Sequence, residues 1–185
     1  MKRAYLLVEG ASDAAFLRRI LPEEALRDVE LVNAGGSSEI PSLARSLLVR
    51  RRRPVAVVMD SDSVDPDLIE ERRQSTEDVI RLADASVPVK VISAVPQIEA
   101  WLLAAPDKIE RIVGEKISEE WLALGKANPR RALASLAEKN QRRWDTNQAI
   151  NALDDEDIKR IRSIPEVEEL SAFLEEMHDA RPKVR

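Results

Sequence analysis

The sequence predicts an α/β fold: a mostly parallel four-stranded sheet flanked by helices, followed by an all-helical C-terminal extension. Three observations predict it. Short apolar runs alternate with helix-period segments through the first hundred residues. The run Pro54-Val-Ala-Val-Val-Met59 is apolar at every position, as in a strand covered on both faces inside a parallel sheet. Beyond Pro106 only helical patterns continue. Strand–helix alternation at this spacing implies right-handed βαβ units.

The elements follow in order. Tyr5–Val8 is the first strand, too short for a helix. The next helix sets Phe16, Leu17, Ile20 and Leu21 opposite Arg18 and Arg19, with Ser12 or Asp13 as its cap. Val29–Val32 is a weaker second strand. Gly35-Gly36-Ser37-Ser38 then turns the chain into a helix whose apolar set is Ile40, Leu43, Ala44, Leu47 and Leu48, one continuous helical face. The third strand ends in Asp60, and a polar loop leads to a helix ending near Ala83. Val87–Ala94 is the fourth strand, with Pro88 at its beginning or on an edge. Pro96 suits the first turn of a helix whose face is Ile98, Trp101, Leu102 and Ala105. Further helices are expected near 108–113, 118–124, 130–139, 155–163 and 165–177. The chain thus divides into an α/β domain over 1–105, a helical extension over 106–180 and a frayed tail over 181–185.

Composition narrows the chemistry. The chain has 185 residues, 29 Lys+Arg against 34 Asp+Glu, and a net charge of −5, all ordinary for one globular domain. No cysteine is present, which excludes disulfides, thiolate metal sites and cysteine nucleophiles. The single histidine, His178, excludes His-rich metal sites and Ser-His-Asp triads. The apolar stretch before Glu9 is too short for a signal peptide, and no run is long enough to span a membrane. A cytoplasmic protein with no membrane partner is expected.

In an open parallel sheet, ligands bind along the edge where the strands end. Glu9, Gly10 and Asp13 follow the first strand; Gly35, Gly36, Ser37 and Ser38 follow the second. Asp60, Asp62 and Asp65 follow the third, and Pro96 and Glu99 the fourth. Carboxylates converging on one rim repel one another, and a hard divalent cation resolves the conflict. Mg²⁺ is the expected occupant, with Mn²⁺ as a substitute. Each acid has an alternative reading as a helix cap or a first-turn acid stabilised by the helix dipole, and for Glu99 that alternative stands level with metal ligation. Gly35, Gly36 and Ser37 at a helix start can bind phosphate through backbone amides, or form a plain turn and cap. Arg50–Arg53 reads as a solvated helix end. The segment 126–144 carries Lys126, Arg130, Arg131, Lys139, Arg142 and Arg143 against Glu138 alone, net +5 in an acidic protein. Such a composition suits phosphate contacts, though a solvated amphipathic helix has the same pattern. Trp101 and Trp121 sit at core spacing and read as packing residues.

Leu6-Leu-Val-Glu9-Gly10-Ala-Ser-Asp13, followed by Val57-Val-Met-Asp60-Ser-Asp62, resembles a TOPRIM domain, the catalytic module of topoisomerases, bacterial primases and several nucleases. The family pattern is a glutamate after the first strand and Asp-x-Asp after the third, matched here by Glu9, Asp60 and Asp62. The Glu-x-x-x-Asp form, Glu9 and Asp13, is more similar to the nuclease branch, including the OLD nucleases. Ile98-Glu99-Ala-Trp101-Leu-Leu103 is similar to a stretch in small stand-alone TOPRIM-like proteins. The resemblance covers about residues 4–105.

It implies a TOPRIM-like sheet and a Mg²⁺-dependent phosphodiesterase, a nuclease acting on DNA or RNA. Glu9, Asp13, Asp60 and Asp62 then hold metal, with Asp65 and Glu99 as further candidates. Lys126, or its neighbours Arg130 and Arg131, steadies transition-state charge, and Arg142 and Arg143 join them in nucleic-acid binding. Phosphoryl transfer to water needs no protein nucleophile. The only tyrosine, Tyr5, lies inside a strand, which argues against a topoisomerase. Two alternatives stay open: a primase-type nucleotidyl or phosphotransferase, and a non-catalytic metal-binding subunit. OLD nucleases carry an ATPase domain, and this chain has no Walker A loop, so a separate ATPase subunit is a candidate partner.

Overall fold

The computed structural model describes residues 3–179. The tail expected at 181–185 lies outside the described residues. Four strands, β1 (Ala4–Val8), β2 (Val29–Asn33), β3 (Val55–Asp60) and β4 (Val89–Ala94), form one parallel sheet in the order β2-β1-β3-β4. Registers pair Leu6 with Leu31 and with Ala56, and Asp60 with Ala94. The chain leaves β1 towards one side and returns on the other. The crevice beyond the ends of β1 and β3 is therefore the topological switch point, where open α/β sheets bind ligands.

Side chains alternate across each strand. Tyr5, Leu7, Val55, Val57, Val89 and Val91 face α3 (Ile40–Arg51) and α4 (Pro66–Arg81), packing with Ile40, Ala44, Leu48 and Ile80. Leu6, Val8, Ala56, Val58, Ile92 and Ala94 enter the other layer, with Phe16, Leu17 and Ile20 of α1 (Ala11–Ile20). That second layer continues without a break into the later helices α5 (Pro106–Val113), α6 (Glu119–Ala127), α7 (Pro129–Lys139), α8 (Thr146–Ala152), α9 (Asp155–Arg162) and α10 (Pro165–Asp179). Ile109, Leu133, Ile150, Ile161, Leu170 and Leu174 belong to the same buried cluster as Leu6. The helix α10 packs on β4, β1 and β3. Both faces of the central strands are covered, which is why β1 and β3 read as apolar runs, while the edge strands β2 and β4 carry Glu30 and Lys90. Among the described residues no helix is long and apolar enough to cross a membrane.

Several local expectations are corrected. Gly10, not Ser12 or Asp13, is the N-cap of α1, and Asp13 reaches back from the first turn to accept the Gly10 N–H at 2.8 Å. A short helix α2 (Glu23–Leu26), counted after α1 in chain order, fills the turn after Pro22. The segment Ile98–Ala104 is a 3-10 helix, closed by i to i+3 bonds such as Ala100 N–H to Gln97 O, because Ile98, Glu99, Trp101 and Leu102 all have to be buried within two turns. Pro96 lies in the loop before it, and its carbonyl accepts the Asp62 N–H at 2.9 Å. Helix α8 is unforeseen: only Ala149 and Ile150 face inward, too few to show a period, and its start is set by Asp145 accepting the Gln148 N–H.

Candidate functional site

Glu9 is the first residue past β1, and its Oε1 accepts the backbone N–H of Asp60, the last residue of β3, at 2.9 Å. The two acids therefore meet at the switch point. Burial raises the Glu9 carboxyl above its ordinary range, and the charges of Asp13 and Asp62 raise it further; the Asp60 amide and Arg130 oppose this. Asp60 is more perturbed. Its side chain is 13% exposed, its Oδ1 accepts the Ile98 N–H at 2.9 Å, and its Oδ2 lies 3.5 Å from Arg130 Nη2. Burial, followed by the like charges of Glu9 and Glu99, pushes its carboxyl up to about 7, against the pull of the Ile98 amide and Arg130.

The 3-10 turn after β4 delivers Glu99, which is 3% exposed. Helix α7 delivers Arg130 from its first turn, where Pro129 occupies the opening position and Asn128 caps by accepting the Arg131 N–H. Arg130 donates to both Glu99 oxygens, Nε to Oε1 at 2.7 Å and Nη2 to Oε2 at 3.2 Å. This fork holds the helical extension against the sheet's acidic edge.

Asp62 sits in the left-handed region, φ 51°, a conformation Asp tolerates better than most side chains. Its carboxylate is 62% exposed and 4.0 Å from Arg72 Nη1, while Arg72 also donates to the Ser61 carbonyl at 2.6 Å. Asp13, besides the Gly10 amide, accepts from Ser12 Oγ at 3.2 Å. The structure thus brings Glu9, Asp60, Glu99 and Arg130 into a contact chain, with Asp13 and Asp62 close enough to be felt electrostatically at Glu9.

Other sequence candidates stand apart from this chain of contacts. Asp65 caps α4, accepting the Asp67 and Leu68 amides. Gly35 and Gly36 take φ values of 85° and 144°, open to glycine, and the Gly35 N–H already donates to the Glu9 carbonyl and to Asn33 Oδ1. Ser37 begins a three-residue 3-10 turn. Lys126 is exposed in the last turn of α6 and bonds to no described residue. Arg131 borders a cleft between α6 and α7 with Trp121 and Leu124. Arg142 donates to the Arg111 and Ile112 carbonyls at the end of α5, and Arg143 is exposed. The bidentate Glu99–Arg130 pair was missed as a pair; the signal was Ile-Glu after the fourth strand and Pro-Arg-Arg at a helix start.

Among the described residues no three His, Asp or Glu side chains form a ready-made metal-ligand group. The donor chemistry nonetheless fits a hard cation: apart from the Arg130 guanidinium, the side chains meeting at the crevice are carboxylates, without imidazole or thiolate.

No family model matches the chain, and no curated protein matches it. Two solved structures are similar to it. Both are of the C-terminal region of the Xanthomonas campestris pv. campestris OLD protein, one phased with iodine and one with mercury. Each is 20% identical, covers 96% of this chain and 98% of its own, and superposes with a TM-score of 0.49 and 0.47 respectively.

Proposed function

We propose that this chain is a divalent-metal-dependent phosphodiesterase that cleaves nucleic acid, with acids arranged in the TOPRIM manner. The observation that carries the reading is the meeting of Glu9 and Asp60 at the switch point, with the Asp60 carboxyl raised to about 7. Helix capping accounts for Asp13 and Asp65 but not for Glu9, whose carboxylate accepts from a strand end. A carboxyl raised by burial and by like charges in a crevice is what a functional site requires of its acids.

Glu9, Asp60 and Asp62, with Asp13 beside them, are the residues that would hold Mg²⁺ or Mn²⁺. When bound, the ion supplies Lewis-acid stabilisation of phosphoryl oxygens and a more acidic water. The protein's own groups do the rest. Arg130, its side chain 56% exposed, gives Nε and Nη2 to Glu99, which aims it, and keeps Nη1 for a phosphate oxygen. Glu9 ties the end of β1 to the end of β3 through the Asp60 amide, which fixes the spacing of the acids carried by the two strands. Tyr5 is 6% exposed within β1 and the chain has no cysteine, so neither a tyrosine nor a cysteine serves as nucleophile, and metal-assisted attack by water needs none.

The test is cleavage of plasmid, linear DNA and RNA in Mg²⁺ or Mn²⁺, comparing the native sequence with Glu9→Gln and Asp60→Asn. Cleavage that both variants abolish supports the reading. Cleavage that either variant retains in full overturns it.

A further inference from the structure

The basic segment expected to meet nucleic acid delivers one residue, Arg130, to the acidic rim. Elsewhere in that segment Lys139 pairs with Glu115 and Arg142 closes α5, while Lys126, Arg131 and Arg143 are exposed and touch none of the rim acids. A polyanion crossing a rim of carboxylates needs more positive charge than one guanidinium, and the molecule carries it on α3.

A groove of about 740 Å³ runs along α3, with Ser38, Ser42, Arg45, Ser46 and Arg50 as its polar lining and Pro41, Val49 and Ala83 as its apolar one. No carboxylate lines it. Two other surface grooves are acidic, with Asp62 and Glu71 over α4 and with Asp107, Glu110 and Glu115 at the end of α5, and the cleft between α6 and α7 carries one cation, Arg131, among Trp121, Leu124 and Ala132. Within α3 the polar groove residues Ser42, Arg45, Ser46 and Arg50 recur at i, i+3, i+4 and i+8, one helix face, and Ser38 precedes them in the 3-10 turn. Arg45, Arg50 and Arg51 are exposed and make no ion pair with any described residue, so their charge is not neutralised locally. Hydroxyls interleaved with guanidinium groups are the donor set that protein surfaces offer to phosphate and sugar oxygens.

The groove is also connected to the site. Its upper end, Ser38, lies three residues past Gly35, whose N–H donates to the Glu9 carbonyl at 3.2 Å. From there the 12 residues of α3 extend about 18 Å at ~1.5 Å per residue, long enough to meet several successive phosphates.

We propose that the α3 groove is the track that carries the nucleic-acid backbone away from the Glu9–Asp60 crevice, with Arg45 and Arg50 on phosphates and the serine hydroxyls between them. This rests on the nuclease reading for its substrate and adds the surface that binds it. It also reassigns the arginine-rich end of α3 from a solvated helix end to part of an interface.

The experiment measures binding of a fluorescent 20-base-pair duplex and a matched single strand at several salt concentrations, by anisotropy, in EDTA. The proteins are the native sequence, Arg45→Glu with Arg50→Glu, Arg45→Gln with Arg50→Gln, and Glu9→Gln. Charge reversal is expected to weaken binding at least tenfold. Both Arg45/Arg50 double variants are expected to lower the slope of log affinity against log salt by about two, one for each lost phosphate contact. Both arginines are exposed, so the melting temperature should stay put, and the glutamine pair covers the case in which reversal disturbs folding. Unchanged affinity and slope in both double variants would overturn the track while leaving the catalytic reading intact. Native protein that binds neither oligonucleotide, or binds poly-glutamate of matched length equally well, also overturns it. Glu9→Gln removes one carboxylate from the rim and no residue of the groove, so it is expected to bind more tightly than the native protein, and a loss of binding in it would overturn the track. Native protein that binds through α3 but cleaves nothing with any divalent ion supports the track and removes the catalytic reading.

Discussion

Glu99 and Arg130, 31 residues apart in sequence, are joined by two hydrogen bonds of 2.7 and 3.2 Å, and the carboxylate end of that pair is almost wholly enclosed. Removing the guanidinium strands a buried charge, whereas neutralising the acid frees an exposed cation. Arg130→Ala should therefore destabilise by about 1–3 kcal/mol, reduced from the fully buried case because the arginine side chain is 56% exposed. Glu99→Gln should do less harm, and the double variant should recover part of the loss in a urea-denaturation cycle. A neutral Arg130→Ala would show that the fork does not fasten the extension to the sheet.

Asp60 makes stability depend on pH in a defined direction. Its carboxyl titrates near 7 when folded and near 3.8 when unfolded. Below about pH 4 both states carry the proton and the native state has no penalty from this group. Between about 4 and 7 the unfolded chain releases its proton first, so stability falls as pH rises, by at most ~4 kcal/mol. Glu70, lowered to about 2 by the Arg73 hydrogen bond, works in the opposite sense at more acid pH. The Asp60 contribution is isolated by comparison with Asp60→Asn in EDTA. Identical pH profiles for the two proteins would remove it.

Divalent cation should raise the melting temperature by binding the native state alone, and the rise should grow with the logarithm of ion concentration above the dissociation constant. Glu9→Gln, Asp60→Asn and Asp62→Asn should each blunt it. A flat response to millimolar Mn²⁺ in the native sequence, with no heat in calorimetry, would show that Arg130 and the backbone amides already satisfy the acids.

Asp65→Ala separates capping from ligation. Loss of the bonds to the Asp67 and Leu68 amides should cost about 1 kcal/mol of stability, with the metal response of the protein unchanged. A weakened metal response would return Asp65 to the ligand set.

A fragment ending at residue 105 should lack a cooperative unfolding transition. It would leave Leu6, Val8, Val58 and Ile92 facing water where Leu133, Ile161, Leu170 and Leu174 now complete their cluster. Sharp, dispersed amide resonances from that fragment would show that the first layer closes by itself.

The strands, their parallel order and the meeting of Glu9 with Asp60 were legible because each acid directly follows a run of apolar, β-favouring residues, and strand ends in a parallel sheet share one edge. The choice of cation was not. Lys126, Arg130 and Arg131 are equivalent in composition, and only the rotation of α7 on the 3-10 turn decides that Arg130 reaches Glu99. Periodicity also fails for short elements: α8 buries two apolar residues, and Ile98–Ala104 winds more tightly than its apolar spacing indicated. Asp65 shows the opposite ambiguity, since a ligand and an N-cap look alike until the amides of Asp67 and Leu68 are placed.

The contact of α10 with β1 joins the last described helix to the first strand. During synthesis Glu9 and Asp60 leave the ribosome long before Leu170 and Leu174, and Arg130 emerges between them. The layer beneath the acids closes only when α10 arrives, so the nascent chain carries the acids without the frame that holds them. Such long-range closure makes folding slow relative to a chain of local contacts. It also means that proteolytic loss of α10 would strip the layer beneath the acidic crevice, without a cut anywhere near Glu9 or Asp60.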